Sequence, residues 1–144
     1  IEGYRNALKS KGIDINEKLI RHTKNNENIQ VIENGYKLMN ELLESGEEFT
    51  AVYSISDSMA IGACKAILDS GKRIPQDYSV VGFDGLDITY YYNPSITTIR
   101  QPVEAMARET TKILFDLINN KATNQHKVFE AELVERESTL KLSK

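Results

Sequence analysis

Residues 49–87 read FTAVYSISDSMAIGACKAILDSGKRIPQDYSVVGFDGLD, in which apolar runs end at abrupt polar stops. Two short apolar runs, 51–55 and 79–83, flank an apolar segment of helical length, and each run stops at an acid, Asp57 or Asp84. That is the pattern of a strand, a crossover helix and a second, parallel strand. Ser56 or Asp57 is placed to cap the helix by accepting from its first free amides. Ala60, Ala63, Cys64 and Ile67 fall on one stripe of it, and Met59, Ile61 and Leu68 widen the apolar surface, so two sides are covered. The small residues Ala60, Gly62 and Ala63 admit another backbone closely. Gly71 ends the helix, and Pro75 prevents it restarting. In an open parallel sheet, ligands bind outside the carboxyl ends of the strands. Ser56, Asp57, Phe83 and Asp84 occupy those ends.

The same patterning extends to the flanks. Ile1, Tyr4 and Leu8 predict a helix over residues 1–11, stopped by Gly12. Residues 12–17 read as a loop, 19–23 as a short strand and 24–28 as a polar turn. Residues 29–32 lead into a helix over 34–45, with Tyr36, Leu38, Met39, Leu42 and Leu43 on its apolar side and Gly46 at its end. Residues 85–93 are irregular and contain Tyr90, Tyr91 and Tyr92; these cannot all enter one core, which leaves loop packing or an interface for at least one. A β segment over 96–100 precedes a long helix opened by Pro102 and running to 119. In that helix Val103, Met106, Ala107, Thr110, Ile113, Leu114, Leu117 and Ile118 keep the 3.6-residue period. A polar connection over 119–127, a strand over 128–134 and a charged tail over 135–144 complete the chain, without internal repeats.

Composition narrows the function classes. The 144 residues suit one domain or part of a larger one, and 40% are hydrophobic, ordinary for a globular protein. The chain opens inside a helical pattern without a methionine, which makes a piece of a longer protein the expectation. A net charge of −3 argues against a nucleic-acid footprint on this segment. No apolar run approaches the length of a membrane span. The lone Cys64 has no intrachain partner, is compatible with a reducing compartment and reads as a buried small hydrophobe.

Catalysis, metal and cofactor find no motif: no GxSxG, HExxH, CxxC or phosphate-cradling glycine loop occurs. His22 and His126 stand in polar surroundings and read as solvated surface residues. At the strand tips two roles stay open. Asp84 either accepts from a ligand hydroxyl or amine, or makes a turn with Gly85; Ser56 and Asp57 either meet ligand or cap the helix. A helix N-terminus normally attracts anions, but Asp57 and Asp84 already bring negative charge there. A neutral polyol or a cation therefore fits this edge better than an anion.

The order of SISDSMAIGACKAILDSGKRIPQDYSVVGFDGLD, YYNPSITTIRQPVEAMARETTKILFDLI and ELVERES, after an opening EGYRNALKSKGI, resembles the effector-binding region of the LacI/GalR bacterial transcription repressors. The resemblance covers almost the whole chain. It implies an α/β fold, a parallel sheet with flanking helices of the type I periplasmic-binding-protein-like kind, here the C-terminal subdomain of a truncated two-subdomain core. Residues 1–97 would form an incomplete C-terminal effector-binding subdomain; 98–127 a crossing segment and a helix of the N-terminal subdomain; 128–144 a return strand and tail. The family's acid in the GFD turn matches Asp84, an effector contact; Ser56, Gln101, Phe83 and Asp57 join it as candidates. An aromatic that stacks on the ligand in the family has no match near Gln30, where this sequence departs from the pattern. The family dimerises through this subdomain, and Met59, Ala63, Ile67 and Tyr92 match that surface.

Implied partners are a small effector, commonly a sugar, a second copy in a homodimer, and operator DNA through an N-terminal helix-turn-helix that this chain lacks. The implied setting is the cytoplasm, with no enzyme activity, cofactor or membrane. A purine or a phosphorylated co-effector stays open. The alternative is the solute-binding protein of a sugar transporter, which shares the fold; the TTIRQP and VERES segments favour the repressor. An enzyme on a doubly wound domain is the third possibility, and neither Lys65 nor Lys72 stands at a strand tip where phosphotransfer would need it.

Overall fold

The computed structural model describes residues 1–23, 31–121 and 126–141. The elements run α1 (Glu2–Ser10), a 3-10 turn (Glu17–Leu19), α2 (Val31–Glu44), β1 (Ala51–Tyr53), α3 (Asp57–Asp69), β2 (Ser79–Asp84), α4 (Ile88–Tyr91), β3 (Thr97–Arg100), α5 (Val103–Ile118) and β4 (Glu132–Val134). The predicted strand–helix–strand unit is present as β1–α3–β2. The four strands lie in the order β1-β2-β3-β4. Val52 pairs with Val80 and Gly82 with Thr98 in parallel ladders. β4 closes the other edge antiparallel, with Arg100 opposite Glu132. The fold is an α/β open sheet with flanking helices, parallel except at that last edge.

The core follows from the α3 stripe. Ala60, Ala63, Cys64, Ala66 and Ile67 are buried together with Met39 and Leu42 of α2, Val80 of β2, Ile74 and Ile96. Burial pushes the Cys64 thiol up to about 12, so it is an inert hydrophobe at neutral pH. α2 and α3 touch backbone to backbone. A Cβ on Gly62 would stand 2.0 Å from the Ile32 carbonyl oxygen, and one on Gly35 would stand 2.2 Å from that of Met59. The small-residue face of α3 thus receives α2 of the same chain.

Several expectations change. Residues 19–23 do not form a strand. Asn16 caps the 3-10 turn by accepting from the Lys18 N–H at 3.0 Å, and Ile20 is extended at φ −91°, ψ 122°. Ile20, Arg21 and His22 line a cleft of about 570 Å³ together with β1. Extended backbone becomes a strand only when a ladder satisfies its amides, and here β1 pairs on one side only. The helix expected over 34–45 begins at Val31, and the strand expected over 128–134 is confined to Glu132–Val134. Pro102 occupies the N-cap of α5. The polar turn at 24–28 and the position near Gln30 lie outside the described residues.

The described part of the tail read as charged is anchored at one buried position. Ser138 is fully buried. Its hydroxyl donates to the Val80 carbonyl at 2.6 Å and accepts from the Thr97 N–H at 2.8 Å, while its own N–H donates to Ser95 at 2.9 Å. The segment acts as a stitch along β2 and β3, because buried backbone polar groups require partners.

Gly62→Ala should lower unfolding free energy by about 1–3 kcal/mol through overpacking against Ile32. Gly3→Ala in α1, where a Cβ meets nothing within 4 Å, should be neutral or mildly stabilising. Urea denaturation of both variants checks the contrast.

Candidate functional site

The site is built at the carboxyl ends of β2 and β3. Asp57, first residue of α3, is wholly buried. Its Oδ2 accepts from the Gly85 N–H at 2.9 Å and the Leu86 N–H at 2.7 Å, and its Oδ1 accepts from the Thr98 hydroxyl at 2.6 Å. The open choice between the two capping candidates falls to Ser56, whose Oγ accepts from the Met59 N–H at 3.2 Å. Asp57 instead binds a loop far along the chain. The expectation of Asp57 as a ligand contact is therefore corrected: it has no exposed surface, and both of its oxygens are engaged. Three hydrogen bonds to an ionised acceptor, beside the positive end of a helix, make such burial tolerable. Gly82 makes room for it, since a Cβ there would stand 2.2 Å from Asp57 Oδ1.

Asp84 follows in a left-handed backbone region at φ 128°. Such a conformation costs a non-glycine residue of order 1–3 kcal/mol and persists only where the surroundings enforce it. Its Oδ1 accepts from Gln101 Nε2 at 2.9 Å, and its carbonyl accepts from the Gln101 N–H at 3.3 Å. Two residues that the sequence proposed separately are thus joined. Both are half-buried, as are Phe83 and Ser56. Gly85 lies so close to Arg100 that a Cβ on it would stand 2.7 Å from Arg100 Cγ.

The loop beyond Asp84 is braced. Thr89 is fully buried, and its hydroxyl donates to the Leu86 carbonyl at 2.5 Å. Arg136 donates to the Thr89 hydroxyl at 2.5 Å and to the Ile96 carbonyl at 2.9 Å, with its guanidinium 5.7 Å from the Tyr90 ring centre. Thr98 and Arg136 were not singled out in the sequence. Nothing local marks either residue: Thr98 meets Gly82 only in the folded ladder and bonds Asp57 41 residues away, and the Arg136 guanidinium bonds partners 40 and 47 residues away.

The residues matched to a dimer surface divide. Ala63 and Ile67 are buried in this chain's own core and offer no surface to a partner, which corrects that expectation. Met59 is half-buried against Gly35 of α2. Tyr92 is half-buried and lines a surface concavity with Tyr36, Ile61, Lys65 and Asp69. Desolvation raises its phenol pKa above the ordinary value. Lys65 Nζ reaches Asp69 at 2.6 Å, and that hydrogen bond leads the causes holding the Asp69 carboxyl below its usual range. Tyr90 and Tyr91 are exposed, packed edge to face on each other. Among the described residues, no helix is long and apolar enough to cross a membrane.

The family model described as "Periplasmic binding protein-like domain" matches residues 1–139. The chain is 43% identical over 138 residues to the HTH-type transcriptional regulator MalR of Clostridium butyricum, covering 96% of this chain and 40% of MalR. Among solved structures, the transcriptional regulator CelR in its cellobiose complex superposes with a TM-score of 0.85 at 33% identity, over 94% of this chain and 40% of that one. A LacI-family transcriptional regulator from Enterococcus faecium with bound ribose gives 0.82 at 30%, over 96% and 49%. The fold is that of a periplasmic-binding-protein-like domain. More narrowly, the chain belongs to the LacI/GalR family of transcriptional regulators and corresponds to the C-terminal part of their effector-binding domain. It spans about two-fifths of the length of the curated relatives it matches.

Gly82→Ala should displace the Asp57 carboxylate and cost about 2–4 kcal/mol, because at least one charge-assisted hydrogen bond worth roughly 1.5–3 kcal/mol is lost. Equilibrium denaturation measures this, and a change below about 0.5 kcal/mol would contradict the described packing.

Proposed function

We propose that this chain is the effector-sensing part of a cytoplasmic LacI/GalR-type repressor, and that a sugar or sugar-like molecule binds at Asp84 and Gln101 with Ser56 and Phe83 at the rim. The carrying observation is the Asp84–Gln101 hydrogen bond at the carboxyl ends of adjacent parallel strands. A carboxylate accepts from sugar hydroxyls, and a primary amide both donates and accepts. The pair is preorganised for a polyol and lies beside the buried charge of Asp57, which disfavours an anion. The bound cellobiose and ribose of two structural neighbours support a sugar. Relatives that are regulators rather than transport proteins favour this over the solute-binding alternative.

The proposed organisation is a C-terminal subdomain over 1–97, a crossing segment and a helix of the other subdomain over 98–127, and a return strand over 128–144. The half-buried side chains of the Asp84 edge would then meet a second wall, supplied by the other subdomain, that closes on the ligand. Operator DNA would be read by a helix-turn-helix elsewhere in the whole protein. A homodimer, with Tyr92 and its concavity at the contact, would place two such heads on a two-fold operator. Closure would then link effector affinity and DNA affinity reciprocally.

The test is a thermal-shift screen of the full-length protein against cellobiose, maltose, ribose, sugar phosphates and nucleobases. A ligand at ~100 times its Kd adds about 2.7 kcal/mol of stability, and neutral sugars should outrank their phosphates. Asp84→Ala should abolish the shift and the effector response while leaving operator affinity within about threefold. An unchanged response in that variant would remove Asp84 from the mechanism.

A further inference from the structure

We propose that Asp57 is the positioning residue of the effector site, its buried carboxylate fixing Asp84 in the conformation that meets Gln101; this rests on reading Asp84 and Gln101 as the effector contacts. Asp84 holds a positive φ that an aspartate does not choose by itself. The restraints around it converge on one group. The two amides that follow it, Gly85 and Leu86, donate to Asp57 Oδ2. Gly82, two residues before it, gives Asp57 Oδ1 its space. Thr98, on the strand that leads to Gln101, donates to the same oxygen.

Asp57 therefore ties the segment carrying Asp84 to the segment carrying Gln101, and ties both to the first turn of α3. The bonds span 28, 29 and 41 residues of sequence, so no local turn could replace them. Thr98 lies opposite Gly82 in the ladder, and both meet the same carboxylate oxygen, Asp57 Oδ1. A helix cap would need none of this, and Ser56 already supplies the cap. The acid at position 57 acts on the ligand site through the backbone of the next loop, without touching the ligand.

Nuclear magnetic resonance of the full-length, ligand-free protein tests this, because it reads the geometry directly. In Asp57→Ala the Gln101 side-chain amide protons should move towards free-glutamine positions. Exchange of the Gly85 and Leu86 amides should rise roughly tenfold or more above any change at Val81, as expected for loss of bonds to a charged acceptor. Asp57→Asn keeps an acceptor for the two amides and turns its NH2 to the Thr98 hydroxyl, so it should restore most of the wild-type pattern. Should Asp57→Ala not fold, Thr98→Val carries the test: removing one of the three bonds should shift the Gln101 signals partway. Gln101 signals at wild-type positions in a folded Asp57→Ala or Thr98→Val protein would overturn the proposal. No ligand enters the measurement, so a failed sugar screen would count against the effector reading alone.

Discussion

A single buried carboxylate holds the working edge of this molecule together. Asp57 begins α3, yet its hydrogen bonds go to the loop after β2 and to the middle of β3. Burying a charge is costly unless hydrogen bonds replace its water, and three short ones do so here. The neighbouring sequence accommodates it. Gly82 clears space, Thr98 offers its hydroxyl from a fully buried position, and Gly85 and Leu86 turn their amides inward. Losing the carboxylate would leave these donors unsatisfied in the interior, a larger penalty than the loss of one favourable contact.

From that junction the geometry runs outward to function. β2 and β3 end side by side, and the chain leaves each end with a group able to hydrogen-bond a sugar, Asp84 and Gln101. Arg136 and Ser138 fasten the last segment to Thr89, Ile96 and Val80, which braces the loop that follows Asp84. α5 contrasts with this rigid body. None of its residues is buried, and Val103, Leu114, Phe115 and Ile118 are more than half exposed. An amphipathic helix with a bare apolar stripe is built to pack on something, which agrees with the proposed assignment of α5 to the other subdomain.

Much of this was legible in the sequence, for physical reasons. The apolar run, helix-period stripe and second run between 51 and 83 left no better fold than strand, helix and parallel strand, and β1–α3–β2 is that unit. The stripe of Ala60, Ala63, Cys64 and Ile67 predicted the core, and all four are buried. Long-range polar chemistry was not legible. Ser56 and Asp57 are both good caps, and only the fold assigns one to the helix and the other to Gly85, Leu86 and Thr98. The small face of α3 signalled a close neighbour correctly, but its pattern could not say that the α2 backbone at Ile32 and Tyr36 fills the place beside Gly62 instead of a second molecule. The charged ending hid a buried serine and a bridging arginine, because hydropathy cannot show which polar side chains find partners inside.

The most direct measurement is a crystal structure of the full-length protein with the sugar that most raises its melting temperature. The account predicts that ligand hydroxyls lie within hydrogen-bonding reach, roughly 2.6–3.2 Å, of both the Asp84 carboxylate and the Gln101 amide, with Asp57 still bound to Gly85, Leu86 and Thr98. A sugar bound elsewhere, with Asp84 and Gln101 bonded only to each other, would contradict it.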